Sequence, residues 1–120
     1  MEALDITRIA AAALDAHLAE NVQVLHVTDV TTLTDYFVLA TGNSTTQVRA
    51  LGDHVEMALK NENVVPLRVD GHAASSWMVQ DYGTVIVHIF TQQTRDFYGL
   101  ERLWQDAVPV ELSALGITTP

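Results

Sequence analysis

The chain has 120 residues, of which 48% are apolar and 18% are charged, and it contains no cysteine. This composition is typical of one globular domain with its own core, and it argues against a disordered chain. The lack of cysteine excludes disulfides, zinc–thiolate sites and thiol nucleophiles. No apolar run approaches the roughly 18 residues needed to span a bilayer. The first residues carry no signal or transit pattern, so we expect a cytoplasmic protein that does not enter a membrane.

The net charge is −9, and the six basic residues are scattered along the chain. A protein that binds a phosphate backbone needs clustered Lys and Arg, because counterion release supplies its affinity. Direct binding to nucleic acid is therefore not expected. An acidic surface favours a basic protein partner instead.

The residue pattern in the first third of the chain predicts one helix followed by two strands. Apolar residues at helical spacing predict a helix over Asp5–Glu20, whose alanines permit close approach to a sheet or to a second subunit. Val22–Val27 is typical of a strand, and its His26 has no second ligand at metal-binding spacing. Tyr36–Thr41 is apolar on both faces, which indicates a central strand.

A capping motif follows that central strand. Ser44 and Gln47 form a capping box ahead of the helix predicted over Thr45–Asn61, and Gly42 eases the tight turn before it. A phosphate could bind at this helix N-terminus. However, the loop lacks the glycine-rich cradle and lysine of a P-loop, as well as the GxGxxG of a dinucleotide fold. Structural capping is therefore the favoured interpretation.

The next segment predicts an edge strand and then a hairpin. Val64–Val69 is strand-like, but Pro66 cannot donate to a ladder and so places it at an edge or a bulge. A two-residue turn at Tyr82-Gly83 would join two further strands, although a one-residue slip would exchange their faces. The predicted pairs are Asp81 with Thr84, Val79 with Ile86, and Trp77 with His88. Their side chains would share one side of the sheet, and Val85, Val87 and Ile89 would cover the other.

The C-terminal part predicts a helix and an extended tail. Arg95–Gln105 carries apolar residues at helical spacing, with Thr94 as the N-cap, although Gly99 permits two short turns instead. We expect one domain over residues 1–110 and an extended tail over residues 111–120. The fold class is α/β (α+β), a mixed five-stranded sheet flanked by helices. The helix over Thr45–Asn61 would form a right-handed parallel crossover.

No convincing catalytic constellation emerges from the residues. Ser76, Asp81 and His88 are the types that a catalytic triad uses, but the predicted hairpin turns Ser76 away from His88. No HExxH pattern, calcium loop or carboxylate pair on a strand is present. We therefore expect no cofactor, no metal and no enzymatic activity.

Three strings, in this order and spacing, resemble the ribosomal silencing factor family, also called RsfS, Iojap or YbeB. They lie within TDYFVLATGNSTTQV at residues 34–48 and within WMVQDYGTVIVHIFTQQTRDFYGLERLWQDA at residues 77–107. The strings are D-Y-F-V-x-A-T-G, W-x-x-x-D-Y-G-x-V-x-V-H and F-Y-x-L-E-R-L-W. The resemblance covers about Leu4 to Val110.

The resemblance implies a protein that binds the large ribosomal subunit through ribosomal protein L-fourteen. Bound there, it would block joining of the small subunit and repress translation when nutrients are short. It also implies a nucleotidyltransferase-like topology without the catalytic carboxylates, and a homodimer off the ribosome in some members. Carried over by motif, the partner-binding residues would be Trp77, Asp81, Tyr82, His88, Tyr98, Leu100, Glu101, Leu103 and Trp104.

Two other interpretations stay open at this point. Gly42 and Ser44 echo the Gly-Ser element of nucleotidyltransferases, so an enzyme acting on nucleotides is the alternative function by fold analogy. The aromatic segment could instead build a homodimer. Trp77 and Trp104 each have an alternative role in the core rather than at an interface.

Overall fold

The computed structural model describes residues 1–71, 76–99, 102 and 105–117. The described helices are α1 (Ala3–Ala16), α2 (Thr45–Lys60), α3 (Gln92–Tyr98) and a short 3-10 helix (Leu112–Leu115). The described strands are β1 (Glu20–His26), β2 (Tyr36–Gly42), β3 (Arg68–Asp70), β4 (Trp77–Asp81), β5 (Val85–Thr91) and β6 (Val108–Val110).

The strands form one mixed sheet in the order β3-β4-β5-β2-β1-β6. β2 and β5 are parallel neighbours, whereas β4 pairs antiparallel with β5 and β1 pairs antiparallel with β2. The mixed sheet is confirmed, and the apolar β2 lies inside it as predicted. The short β3 is an edge strand as predicted, but it begins at Arg68, so Pro66 precedes the strand and the predicted start at Val64 is wrong. The predicted count of five strands is wrong, because β6 adds a sixth.

The C-terminal segment is where the strand count fails. β6 pairs with β1, and its Pro109 is tolerated because an edge strand needs no donor on its outer side. Past residue 110 the predicted extended tail is also wrong, since a 3-10 helix forms and Leu115 and Ile117 are buried in the core. Three-residue strands show too little alternation to be found by pattern.

One side of the sheet, the helix face, is covered by α1 and α2. Side chains of both helices form a single apolar cluster with inward residues of β1, β2, β4 and β5. Ala10 and Ala11 are fully buried there, so the alanines of α1 that we expected to allow close approach serve the core. Ser44 caps α2 by accepting from the Gln47 amide at 3.1 Å, and the Gln47 side chain accepts from the Asn43 amide. The predicted cap at Ser44 is confirmed, but Gln47 accepts from the amide of Asn43, one residue before the N-cap amide that a capping box uses.

The other side of the sheet, the aromatic face, carries a second and smaller cluster. Phe37, Leu39 and Phe90 are buried in it, and Trp77 and Ile86 pack against them half-buried. The β4–β5 hairpin lies two residues away from the predicted register: Asp81 pairs with Ile86, Val79 with His88 and Trp77 with Phe90. Tyr82 donates its amide to the Val85 carbonyl, so the two turn residues are Gly83 and Thr84 and not the predicted Tyr82 and Gly83. A shift of two preserves the alternation, and the predicted sides of the sheet are therefore correct.

Candidate partner-binding surface

Helix α3 follows β5 directly and ends in two adjacent aromatic residues. Its N-cap is Thr91, whose side chain accepts from the Thr94 amide at 3.4 Å, so the predicted cap at Thr94 is three residues late. Gly99 ends the helix in the left-handed conformation, with φ of 56°. A glycine adopts this conformation with little strain, which explains why the pattern breaks here. The observed α3 has seven residues and ends at Gly99. It therefore agrees better with the alternative of short turns than with one long helix over Arg95–Gln105.

Phe97 and Tyr98, which are exposed, and the half-buried Trp77 form an aromatic group that we call the α3 surface. The Trp77 and Tyr98 rings have centroids 4.7 Å apart, and the Phe97 and Tyr98 rings meet edge to face at 5.0 Å. Phe97 is 80% exposed and Tyr98 is 52% exposed. Large aromatic side chains held together at a surface are typical of the anchors of protein–protein interfaces.

His88 supports this surface from the sheet. Its Nδ1 accepts a hydrogen bond from the Trp77 indole nitrogen at 3.2 Å, and its ring meets Phe37 edge to face at 5.2 Å. Burial lowers the pKa of His88 to about 4. A neutral ring is also what the hydrogen bond requires, because a protonated Nδ1 could not accept from the indole. His88 therefore fixes the orientation of Trp77.

Asp81 and Tyr82 have local structural roles. The Asp81 carboxylate accepts from the Gly83 amide at 2.7 Å, which shapes the hairpin turn. Tyr82 is only 8% exposed and lies on the helix face, where its hydroxyl donates to Gln80 Oε1 at 2.9 Å. Burial, and secondarily the Glu56 carboxylate, raise the pKa of Tyr82. The structure therefore places Tyr82 on the opposite side of the sheet from Trp77.

The predicted partner-binding residues thus divide into three groups. Trp77 and Tyr98 meet at the α3 surface, while Asp81, Tyr82 and His88 serve the turn, the core and the support of Trp77. Leu100, Glu101, Leu103 and Trp104 lie outside the described residues. Phe97 was not among the predicted site residues although it is the most exposed aromatic side chain among those described. Its position just before a helix-ending glycine was the available signal, because a short helix cannot bury both of two adjacent aromatics.

The residue types of a triad are present but serve separate contacts. Ser76 Oγ accepts from the Thr94 hydroxyl at 2.8 Å, Asp81 binds the Gly83 amide, and His88 Nδ1 is taken by Trp77. A triad needs the nucleophile bonded to the base and the base bonded to the acid. The recorded bonds of these three side chains do not make that chain.

A cavity of about 720 Å³ lies where the parallel strands β2 and β5 end. Such crevices are common ligand positions in α/β folds. Gly42, Asn43, Ser44 and Thr91 contribute to its wall, and Glu20 is its one acidic residue among those described. A metal-assisted phosphoryl transfer needs more than one carboxylate, which this wall does not supply.

In the described parts of the chain, no group of three or more His, Asp or Glu side chains could hold a metal ion. Within the same ranges, no helix has the length and apolar character needed to cross a bilayer.

The fold and the α3 surface define the class first: a small mixed α/β domain with large aromatic side chains at its surface. A sequence profile described as "Ribosomal silencing factor during starvation" matches residues 1–119. The chain therefore belongs to the ribosomal silencing factor family, as the three sequence strings indicated.

Individual relatives agree with this assignment. A ribosomal silencing factor from Halalkalibacterium halodurans is 32% identical over 111 residues, which cover 92% of this chain and 95% of that protein. A mouse protein named mitochondrial assembly of ribosomal large subunit protein 1 is 33% identical over 89 residues, 72% of this chain and 39% of that protein. A crystal structure of a Chromobacterium violaceum protein superimposes with a TM-score of 0.84 at 33% identity, over 88% of each chain.

Proposed function

We propose that this protein binds the large ribosomal subunit through ribosomal protein L-fourteen and thereby blocks joining of the small subunit. In this way it would repress translation in the cytoplasm when nutrients are limited. The observation that carries the proposal is the α3 surface, an aromatic group at the surface of a member of the ribosomal silencing factor family. We expect Leu100, Glu101, Leu103 and Trp104, which continue the same chain segment, to extend this contact.

The net charge of the chain favours a ribosomal protein over ribosomal RNA as the direct binding partner. The chain carries a net charge of −9, so ribosomal RNA would repel it, whereas a basic ribosomal protein would attract it. Aromatic anchors supply the contact energy in such interfaces, and the surrounding charges steer the encounter. Weaker association at high salt is the expected consequence.

Cosedimentation with purified large subunits tests the proposal. The wild-type chain should migrate with the subunits at physiological salt and should prevent them from joining small subunits in a light-scattering assay. Phe97→Ala and Tyr98→Ala should each weaken binding by about tenfold or more, the loss typical of an interface anchor. Met57→Ala is the matched control, because Met57 is 59% exposed on α2. A wild-type chain that stays at the top of the gradient would refute the proposal.

We also propose that the protein works without catalysis, on a nucleotidyltransferase-like topology that lacks the catalytic carboxylates. The parallel β2–β5 pair and the Gly42-Asn43-Ser44 turn support that topology, and the single described acidic residue of the adjoining cavity argues against catalysis. An enzyme acting on nucleotides would be stabilised by its ligand. Nucleotides with Mg²⁺ should therefore leave the melting temperature unchanged, and a clear increase would favour the enzymatic alternative.

The homodimer implied by the family resemblance stays a prediction. If the α3 surface also served a dimer, dimerisation and ribosome binding would compete for the same aromatic side chains. Light scattering over a range of protein concentrations measures the dimer directly. Phe97→Ala would lower the measured mass if the two interfaces coincide and would leave it unchanged if they are separate.

A further inference from the structure

Arg95 is a buried arginine in the middle of α3. Its side chain is 5% exposed, although arginine is rarely buried in proteins. It lies two residues before Phe97 and three before Tyr98 in the same short helix. Burying a guanidinium has a large desolvation free energy, and buried guanidiniums are therefore usually held by several hydrogen bonds.

The guanidinium joins α3 to two strands that are distant in sequence. Its Nη1 donates to the Asn21 carbonyl oxygen at 2.9 Å and to Thr41 Oγ1 at 2.7 Å. Its Nη2 donates to Gln23 Oε1 at 2.7 Å. The guanidinium carbon also lies 5.4 Å from the centroid of the Phe90 ring, in cation–π geometry. One side chain thus connects α3 with β1, β2 and β5.

The backbone of β1 is shaped to receive this arginine. The β1–β2 register shifts between Glu20 and Gln23, where β1 contains one residue more than its partner strand. Within this bulge Asn21 adopts a left-handed conformation, with φ of 48°. A bulge leaves the inserted residue unpaired in the ladder, so the Asn21 carbonyl is available to Arg95. Bulges of this kind often direct a group towards a functional site.

We propose that Arg95 is a positioning residue, which fixes the orientation of α3 so that Phe97 and Tyr98 are presented for partner binding. This inference rests on the proposed function of the α3 surface. A helix of seven residues is not stable alone in water, so its orientation must come from contacts with the sheet. The planar fork of arginine meets several acceptors at once, whereas a lysine would supply one point charge.

Amide hydrogen exchange tests the positioning role without any partner. Arg95→Met keeps an apolar stem and Arg95→Lys keeps the charge, and both remove the fork. In each variant, exchange over residues 92–98 should become about tenfold faster or more, the factor expected for loss of hydrogen bonds to a charged group. Exchange in the centre of β5 should stay slow. Arg49→Met is the matched control, because Arg49 is an exposed arginine on α2.

A double-mutant cycle on large-subunit binding tests whether the effect passes through Phe97. Arg95→Met should weaken binding of the otherwise wild-type chain by about tenfold, yet weaken binding of Phe97→Ala by much less. A role confined to global stability would not give this coupling, because it would add equally to both backgrounds. If Arg95→Met does not fold, Thr41→Val and Gln23→Leu each remove one acceptor and should give smaller changes in the same direction.

The two measurements separate the two ideas. Unchanged exchange over residues 92–98 in both Arg95 variants would overturn the positioning role, and so would additive losses in the binding cycle. A wild-type chain that does not bind large subunits would overturn the proposed function instead. In that case the exchange measurement alone decides whether Arg95 orients α3.

Discussion

The two faces of the sheet differ in the residues that cover them and in the kind of contact that orders those residues. The helix face is a mainly aliphatic cluster covered by α1 and α2, with Leu14, Leu51 and Leu59 fully buried. The aromatic face has fewer fully buried residues, and its Trp77 and His88 are half-buried. Its order comes from directional contacts such as the Trp77–His88 hydrogen bond and the bonds that Arg95 makes to Asn21, Gln23 and Thr41.

This difference suggests a division of labour. Burial of aliphatic area is non-directional and supplies most of the stability of a domain. Hydrogen bonds and aromatic contacts fix orientations, which a binding surface needs more than it needs stability. Substitutions on the helix face should therefore alter unfolding, and those at the α3 surface should alter binding.

Leu51→Ala should have the largest effect on stability. Leu51 is fully buried between α2 and the sheet, so its truncation leaves a cavity and should cost about 2–5 kcal/mol in unfolding free energy. Chemical denaturation measures the loss, and Leu33→Ala is the control because Leu33 is 72% exposed. Below the melting transition, affinity for large subunits should stay within about twofold of wild type, the range expected for independent sites. A large loss of affinity in the folded variant would contradict the separation of the two faces.

His88 should make stability depend on pH through the aromatic face. Its pKa falls from an ordinary 6.5 to about 4 in the folded protein because of burial. Between these values the unfolded chain binds the proton more readily, so stability is full above about pH 6.5 and declines as the pH falls towards about 4. The decline should reach about 3 kcal/mol, from the free energy of one pKa unit.

His88→Gln removes the titrating group and offers an amide oxygen to the Trp77 indole. Its stability should be flatter than wild type over the same pH interval, measured by denaturation at several pH values. The remaining histidines contribute equally to both proteins, so the difference between the two curves isolates His88. Parallel curves would mean that burial of His88 does not govern its protonation.

Gln80 tests the polar contact inside the helix face. Its side chain is fully buried, donates to the Gly52 carbonyl at 2.8 Å and accepts from the Tyr82 hydroxyl at 2.9 Å. Gln80→Leu leaves that hydroxyl without its partner and should cost about 1–3 kcal/mol. Adding Tyr82→Phe should recover part of the loss, because both polar partners are then absent. Additive losses in the double variant would show that the two groups are independent.

Phe97→Ala should have the smallest effect on stability. Because Phe97 is 80% exposed, its unfolding free energy should change by no more than about 0.5 kcal/mol. The loss of binding expected from the same substitution would then be specific to the interface. A decrease in stability as large as that of Leu51→Ala would show that Phe97 belongs to the core.

The strand and the helix in the central part of the chain could be predicted from the sequence. The apolar strand Tyr36–Gly42 and the capped helix Thr45–Lys60 formed near the predicted positions, because local capping and hydrophobic periodicity are strong there. Predictions failed where the signal was short or the chain was punctuated by proline and glycine. The hairpin register, the end of α3 and β6 all belong to this group.

What the sequence determined by itself was the family, the mixed sheet and the two sides of the hairpin, because motif order and period-two alternation are local properties. Only the tertiary structure decided which aromatic side chains remain exposed and which support them. His88 contacts Phe37 and Tyr98 contacts Trp77, which are distant in sequence, and Arg95 bonds to Asn21, Gln23 and Thr41 across more than fifty positions. Burial and long-range hydrogen bonding depend on which strands become neighbours, and that pairing exists only once the chain has folded.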